Sequence, residues 1–388
     1  MFYNECMFSF LQKKQKEEAT LCVCVVTSYT VTAAVVRVYK REGAVATPIV
    51  LFSCEEKISI RQALDSEMLE ASVAEHARKV LEKCRSFHGV FDKVVYTIGE
   101  PWVTTAARTI HSEKMKPFKV TQKMIDELVS RDTKLFESEL SRTLLPEDVG
   151  IIEVSKPILS VNGYPATDAF GVPVKTLDLQ FAISYAPARL VEGLILAFTD
   201  VFHHAEVSFA SMTTAASLLI APHARAAILN VGGVSGMLAL VDYGAVTHAI
   251  DIPNGLLNFE AIMMQEFDVH QSQVSQVMRF ADDDKLLQHH RDLYYRRINT
   301  ATRELAEGVY RSFLTLKHHV QTVPDPMYLI GNPAWIKTIE PFLVQSGEFK
   351  LVAPDHAVLD THITYTHDAK VRHLPLSLAI LQSVDKLY

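Results

Sequence analysis

Hydrophobic positions change period several times along the chain, and each change marks an element. Residues 21 to 39, LCVCVVTSYTVTAAVVRVY, alternate and are rich in β-branched side chains, which predicts two strands about a turn at Thr27-Ser28. A third strand is predicted near Pro48 to Cys54. Between 61 and 87 apolar residues fall at helical spacing (Ala63, Leu64, Met68, Leu69, Val73, Val80, Leu81), and Lys93 to Ile98 reads as a strand again. Pro101 to Lys119 shows no period and reads as a break; a helix then opens at Val120-Thr121-Gln122, with Thr121 as its cap, and runs to about Phe136. Strands are predicted at 149 to 161 and 174 to 186, linked through Asn162-Gly163-Tyr164-Pro165 and Phe170-Gly171-Val172-Pro173. A helix at 187 to 204 leads to Val207-Ser208-Phe209 and to Ser211 to Leu219.

Residues 226 to 255 hold the densest signal. An apolar strand, Ala226 to Leu229, enters Asn230-Val231-Gly232-Gly233; a second strand runs from Met237 to Val241; Asp242-Tyr243-Gly244 turns it; a third ends at Pro253-Asn254-Gly255. Phe259 to His319 reads as long helices broken near Ala281 to Asp284, where Asp282-Asp283-Asp284 is a solvated loop rather than a metal cluster. A strand at Met327 to Ile330 meets Gly331-Asn332, a helix covers 333 to 346, and Pro375 to Leu381 forms a closing helix. No repeat is visible by identity, yet the β-rich beginnings at 21 and 226 agree in pattern, as duplicated halves would.

Composition narrows the classes. A chain of 388 residues, 48% hydrophobic and 21% charged, exceeds one ordinary domain and has ample material for an α/β core. With 38 basic against 45 acidic residues it lacks the clustered basic excess of a nucleic-acid binder. Five cysteines (Cys6, Cys22, Cys24, Cys54, Cys84), odd in number and without a CxxC pair, indicate neither a disulfide framework nor zinc, and favour the cytoplasm. Cys22 and Cys24, two apart in a strand, share one face and read as buried structure. No run nears the roughly 18 apolar residues of a membrane span. The N-terminus has no signal-peptide layout; Met7-Phe8-Ser9-Phe10-Leu11 with Lys13, Lys14 and Lys16 reads as a disordered leader, an aromatic-basic tip at most. The pairs His203-His204, His289-His290 and His318-His319 point about 100° apart on a helix and read as surface residues rather than ligands. GxxxxGK[ST], GxSxG and HExxH do not occur.

The stretch 226 to 255 resembles the second phosphate hairpin of the actin-like ATPases, especially the FtsA and PilM branch. There the line runs roughly as apolar strand, Asp, x, Gly-Gly-Gly, Thr-Thr-Asp, apolar strand, Gly, strand, Pro-x-Gly-Gly. Gly232, Gly233, Gly244, Pro253 and Gly255 match, whereas Asn230, Val234, Gly236, Met237 and Leu256 do not. The segment with Asn162-Gly163 and Asp168-Ala169-Phe170-Gly171 resembles the small subdomain that this branch inserts. The resemblance covers residues 20 to 388. It implies a two-lobed α/β, actin-like (ribonuclease H-like) fold with an inserted α+β subdomain: a leader at 1 to 20, a first lobe at 21 to 105 to which 345 to 388 return, the insertion at 106 to 188, and a second lobe at 189 to 344.

In that family two glycine turns bring backbone amides to the phosphates of Mg-ATP, and an acid opening each hairpin holds the magnesium through water. Here the first acid falls on Val25 and its glycine on Thr27, while the second acid falls on Asn230 and the later Asp on Met237. An amide carries no charge for a divalent ion and is no base; valine offers neither. The residual nucleotide cleft would consist of Ser28, Gly232, Gly233, Ser235, Gly331 and Asn332, with Pro333 removing a donor. The resemblance therefore implies no catalytic residue, no metal site and no resident cofactor, with ATP and magnesium held weakly if at all. The function it implies is a non-catalytic adaptor, linking cytoplasmic filament or pilus machinery to membrane components through protein contacts. A weak ATPase or sugar-kinase relative is the alternative. Its expected partner is a filament-forming, pilus or division protein, at the inner face of the membrane, with self-association and lipid contact through the partner or the N-terminal segment left open. The insertion is the expected docking element.

Overall fold

The computed structural model describes residues 18–41, 44–45, 47–59, 66–143, 149–166, 169–202, 205–220, 224–320, 323–324, 327–330, 340–341, 351–352, 354 and 361–386. Residues 1–17 of the expected leader, Asp168, the His203-His204 pair, Gly331, Asn332, Pro333 and most of the helix expected at 333 to 346 lie outside the described residues, while Glu18, Ala19 and Thr20, expected in the leader, already belong to the first strand.

Three sheets organise the chain. The first has strand order β11-β5-β1-β2-β4-β17, with β1 (Glu18–Val26), β2 (Thr30–Arg41), β4 (Ile49–Lys57), β5 (Lys93–Ile98), β11 (Glu206–Ser211) and β17 (Thr364–Tyr365); the short β3 (Ala44–Val45) pairs with β2. In it β1 and β2, and β2 and β4, are antiparallel, while β5 runs parallel to both β1 and β11. Another sheet has the order β14-β13-β12-β15-β16, formed by β12 (Arg225–Val231), β13 (Gly236–Asp242), β14 (Ala245–Ile252), β15 (Met327–Ile330) and β16 (Leu351–Val352). Its pairing senses repeat the first: antiparallel hairpins from β12 to β14, then parallel β15 and β16. The pattern shared by 21 and 226 is thus a structural duplication in which β1 corresponds to β12.

Strand alternation builds the cores. Cys22, Cys24 and Val26 face outward from the first sheet onto α1 (Ser66–Phe87) and α3 (Ala188–Val201), together with Cys54 and Cys84. The other face, Leu21, Val23 and Val25, packs across an apolar layer against Ala226, Ile228 and Met237 of the second lobe. That layer also takes Met212 and Ala216 of α4 (Met212–Ser217) and Leu376 and Ile380 of α8 (Leu374–Asp385). Ala227 and Leu229 turn away from it onto α5 (Leu256–Phe267), α6 (Gln271–Asp282) and α7 (Gln288–His319). The acidic run before α7 is a loop, with Asp283 paired to Lys285 and Asp284 to Arg291.

The remaining sheet is the inserted one, in order β6-β10-β8-β9 with β7 also on β10: β6 (Thr104–Lys119), β7 (Val149–Val154), β8 (Ile158–Val161), β9 (Tyr164–Ala166) and β10 (Pro173–Pro187). It packs on α2 (Gln122–Thr143) through Ile125, Leu177, Leu179 and Phe181. The expected break at Pro101 to Lys119 is corrected to the 16-residue β6. Its polar, largely exposed sequence carries little hydrophobic period, and pairing with β10 from Tyr185↔Thr104 to Pro173↔Lys119 holds it. Thr121 caps α2, accepting from the Met124 amide at 3.3 Å, and the helix runs past Phe136 to Thr143. The single strand expected at 149 to 161 divides at Ser155, whose hydroxyl and amide both bond to Ala182.

One buried carboxylate ties the insertion to the lobes. Glu153 of β7 accepts the Ser211 amide at the start of α4 (2.6 Å) and the Gln382 side-chain amide of α8 (3.0 Å), and pairs with Lys386. Removing it strands a buried amide and the lysine together. Glu153→Ala is expected to lower unfolding stability by about 3 kcal/mol, and Lys386→Ala, whose side chain is one-third exposed, by clearly less. Urea titrations of the two variants check this order.

Candidate functional site

Both lobes end their first strands at the same level. The strands β1, β5 and β11 run parallel, so Thr27-Ser28-Tyr29 and Gly99-Glu100 lie beyond the carboxyl ends of β1 and β5, Ser211 ends β11, and Gly232-Gly233-Val234-Ser235 lies beyond the end of β12. This edge of an open α/β sheet is where ligands ordinarily sit. Val25 and Asn230 occupy corresponding penultimate positions of β1 and β12, and alternation turns both toward the space between the lobes. Val25 is apolar packing there, and Asn230 donates its side-chain amide to Glu100 Oε2 at 2.6 Å.

The turns themselves are closed. In the first, Thr27 Oγ1 accepts the amides of Tyr29 (3.3 Å) and Thr30 (3.0 Å), so a hydroxyl stands where the family has glycine and takes up the turn's donors. In the second, the Val234 amide donates to Ser28 Oγ at 3.0 Å, directly joining the two turns. A β-carbon on Gly233 would lie 2.6 Å from that same oxygen. The first amides of α5 are also taken: Leu256 N donates to Gly232 O at 3.0 Å and Leu257 N to Gly233 O at 2.8 Å. Gly255 lies so close beneath the turn that an added β-carbon would be 2.2 Å from Gly233 O.

Of the sequence-predicted cleft residues, Ser28, Gly232 and Gly233 are brought together, but as partners of one another. Ser235 enters through its backbone carbonyl, 2.6 Å from the place of a Gly232 β-carbon. Gly331 and Asn332 lie outside the described residues. The donor set does not fit a water-held magnesium, since the two acid positions carry a buried valine and an amide already bonded to Glu100.

Two buried acids in this closure were missed by sequence reasoning. Tyr29 donates its hydroxyl to Glu260 Oε1 of α5 at 3.2 Å, a second bridge between lobes. Burial raises the Glu260 carboxyl to about 6, against the opposing bonds from Tyr29 and Gln271. Glu100 is buried, and its Oε1 has no hydrogen-bond partner among the described residues. Burial pushes it up to about 7, its own backbone amide bond opposing; the Asp251 charge adds to the rise and the Asn230 bond works against it. Its only sequence signal was position: a charged residue directly after a parallel strand, in Ile98-Gly99-Glu100-Pro101.

No protein-family model matches the sequence, and no curated protein matches it. Among solved structures, the chain superposes on a chain of a PilM-PilN type IV pilus biogenesis complex with a TM-score of 0.64, at 14% identity, over 96% of this chain and 99% of that one. The fold is actin-like. Weaker likenesses are to the ethanolamine utilization protein EutJ from Carboxydothermus hydrogenoformans (TM-score 0.46, 11% identity, 94% of this chain and 90% of that one) and to a Bacteroides thetaiotaomicron protein with actin-like ATPase fold and unknown function (0.41, 10%, 95% and 97%). At such identities the likeness concerns the fold; the chemistry rests on the residues above.

Two outcomes are expected. Gly255→Ala, which forces a methyl onto Gly233 O, should lose about 3 kcal/mol of stability, whereas Gly89→Ala, with nothing within 4 Å, should stay within about 0.5 kcal/mol; thermal and urea melts compare them. For Glu100 the folded value of about 7 exceeds the ordinary 4.5, so folding takes up a proton and stability falls as pH rises between those values. Above pH 7 the cost is constant, at most about 3 kcal/mol. Glu100→Gln should flatten that part of the stability-pH curve, and parallel curves for the two proteins would show that Glu100 does not titrate in this way.

Proposed function

We propose that this chain is a non-catalytic actin-like adaptor that acts through protein contacts in a filament, pilus or division assembly at the inner face of a membrane. The observation that carries the reading is the closed cleft. Around the two turns, the amides of Tyr29, Thr30, Val234, Leu256 and Leu257 are bonded to Thr27, Ser28 and the Gly232-Gly233 carbonyls. The two positions that would hold magnesium carry no charge. A nucleotide would have to break the Ser28–Val234 bond and part the turns, with no acid at either hairpin position, Val25 or Asn230, to offset that cost. The likeness to a chain of the PilM-PilN complex supports a role in assembly, since that structure is of a pilus biogenesis complex. No described helix is long and apolar enough to cross a membrane.

A second reading has one observation in its favour. Glu100 lies beside the Gly232 turn, its β-carbon 3.8 Å from where a β-carbon of Gly232 would be, with one buried unpaired oxygen and a value near 7. Those are the properties of a general base. In a weak ATPase that opened its turns, Glu100 would be the group to accept the proton of an attacking water.

Calorimetry and thermal melting with ATP and magnesium separate the two. The adaptor reading expects no change in melting temperature and no phosphate release above buffer. A ligand present at a hundred times its Kd would stabilise the fold by about 2.7 kcal/mol. Such a shift, with phosphate release lost in Glu100→Gln, would overturn the adaptor reading in favour of the enzyme.

A further inference from the structure

The far end of the inserted sheet carries a feature that neither the cleft nor the adaptor reading uses. Between the pairs Glu113↔Thr176 and Phe118↔Val174, β10 has one residue, Lys175, and β6 has four, Lys114-Met115-Lys116-Pro117. The surplus bulges out of the sheet, and Met115 is 99% exposed at its crest. Other turns meet it there. Asn162 Oδ1 accepts the amides of Lys175 (3.0 Å) and Thr176 (3.3 Å), which seats the Asn162-Gly163 turn and its neighbour Tyr164, 75% exposed, at the same end. The Gly171 amide donates to Val120 O at 3.0 Å, placing exposed Phe170 and Val172 beside them.

The charge of this end opposes that of the chain. The described residues among 113–122, 161–166 and 169–176 contain four lysines against one carboxylate, Glu113, in a protein of net charge −7, and the neighbouring Lys123 pairs with Glu127. Lys116, Lys119 and Lys175 have no ion pair among the described residues, and Lys114 lies over the Phe118 ring, 4.7 Å from its centre. Met115, almost wholly exposed, and Tyr164, three-quarters exposed, contribute little burial to the fold. Apolar tips ringed by unpaired ammonium groups complement a surface that is anionic outside and apolar beneath, which is an acidic bilayer.

We propose that this tip docks the protein onto an anionic lipid surface, with Met115 and Tyr164 entering the headgroup boundary and Lys114, Lys116, Lys119 and Lys175 meeting lipid phosphates and carboxylates. The inference is independent of the nucleotide cleft, and its failure would leave the adaptor reading in place.

The test is co-sedimentation of the full chain with phosphatidylcholine vesicles, with and without phosphatidylserine. The wild type should bind the phosphatidylserine vesicles and be released by salt. Lys114→Gln with Lys116→Gln should weaken binding by about thirty-fold, and Met115→Ser with Tyr164→Ser, which leaves the charge unchanged, by about tenfold. Both variants substitute exposed side chains, and circular dichroism should show them folded as the wild type is. Equal binding to both vesicles, binding undiminished in both variants, or capture by a polyglutamate peptide without vesicle binding would each overturn the proposal, the last in favour of an acidic protein partner.

Discussion

Everything at the centre of this molecule depends on two hairpin turns approaching closely enough for the Val234 amide to reach Ser28 Oγ. That approach is possible because three positions lack a side chain. Gly233 leaves room for the serine hydroxyl, Gly232 for the Ser235 carbonyl, and Gly255 for the Gly233 carbonyl above α5. Once the turns meet, the amides of Tyr29, Thr30, Val234, Leu256 and Leu257 are bonded within the protein, and Glu100 and Glu260 are buried beside them. Polar groups left unpaired in such a place would be costly, which explains why Asn230 and Tyr29 each donate to a buried carboxyl.

The glycines of an actin-like cleft therefore have two uses that a sequence cannot separate. In a nucleotide-binding relative a side chain would block phosphate; here a side chain would block the other turn. Gly232, Gly233 and Gly255 match the family while Val25, Thr27 and Asn230 depart from it, and the geometry makes the two facts compatible. Thr27 does more than fail to be glycine, because its hydroxyl takes the Tyr29 and Thr30 amides. Its presence stabilises the turn from within.

The inserted subdomain is joined to the lobes more firmly than an appended module. Glu153 lies at the junction of β7, α4 and α8, and Ala182 and Ala186 of β10 contribute to the interlobe and first-lobe cores. Its near end is thus part of the common framework, while its far end carries exposed apolar and basic side chains that the framework does not use. Stability and surface function are placed at opposite ends of one long pair of strands, β6 and β10.

The sequence by itself determined most of the element order. Alternation and helical spacing placed β1, β2, β5, α1, the β12–β14 meander and the α5–α7 segment, because each carries its own hydrophobic face. Strand alternation located the first turn and the family's glycine spacing the second, and the absence of an acid at Val25 and Asn230 was visible as residue types. What it left undetermined was set by partners distant in the chain. β6 has little apolar period of its own and forms because β10 pairs with it. Glu100 looked like an ordinary charged residue before a proline, and only packing beneath Asn230, 130 residues away, buried it. Ser28 was legible as a turn residue, but its acceptance of the Val234 amide across 206 residues, which closes the cleft, was decided by the way the two lobes share one apolar layer. Local periodicity records which face of an element is buried; it does not record which element buries it.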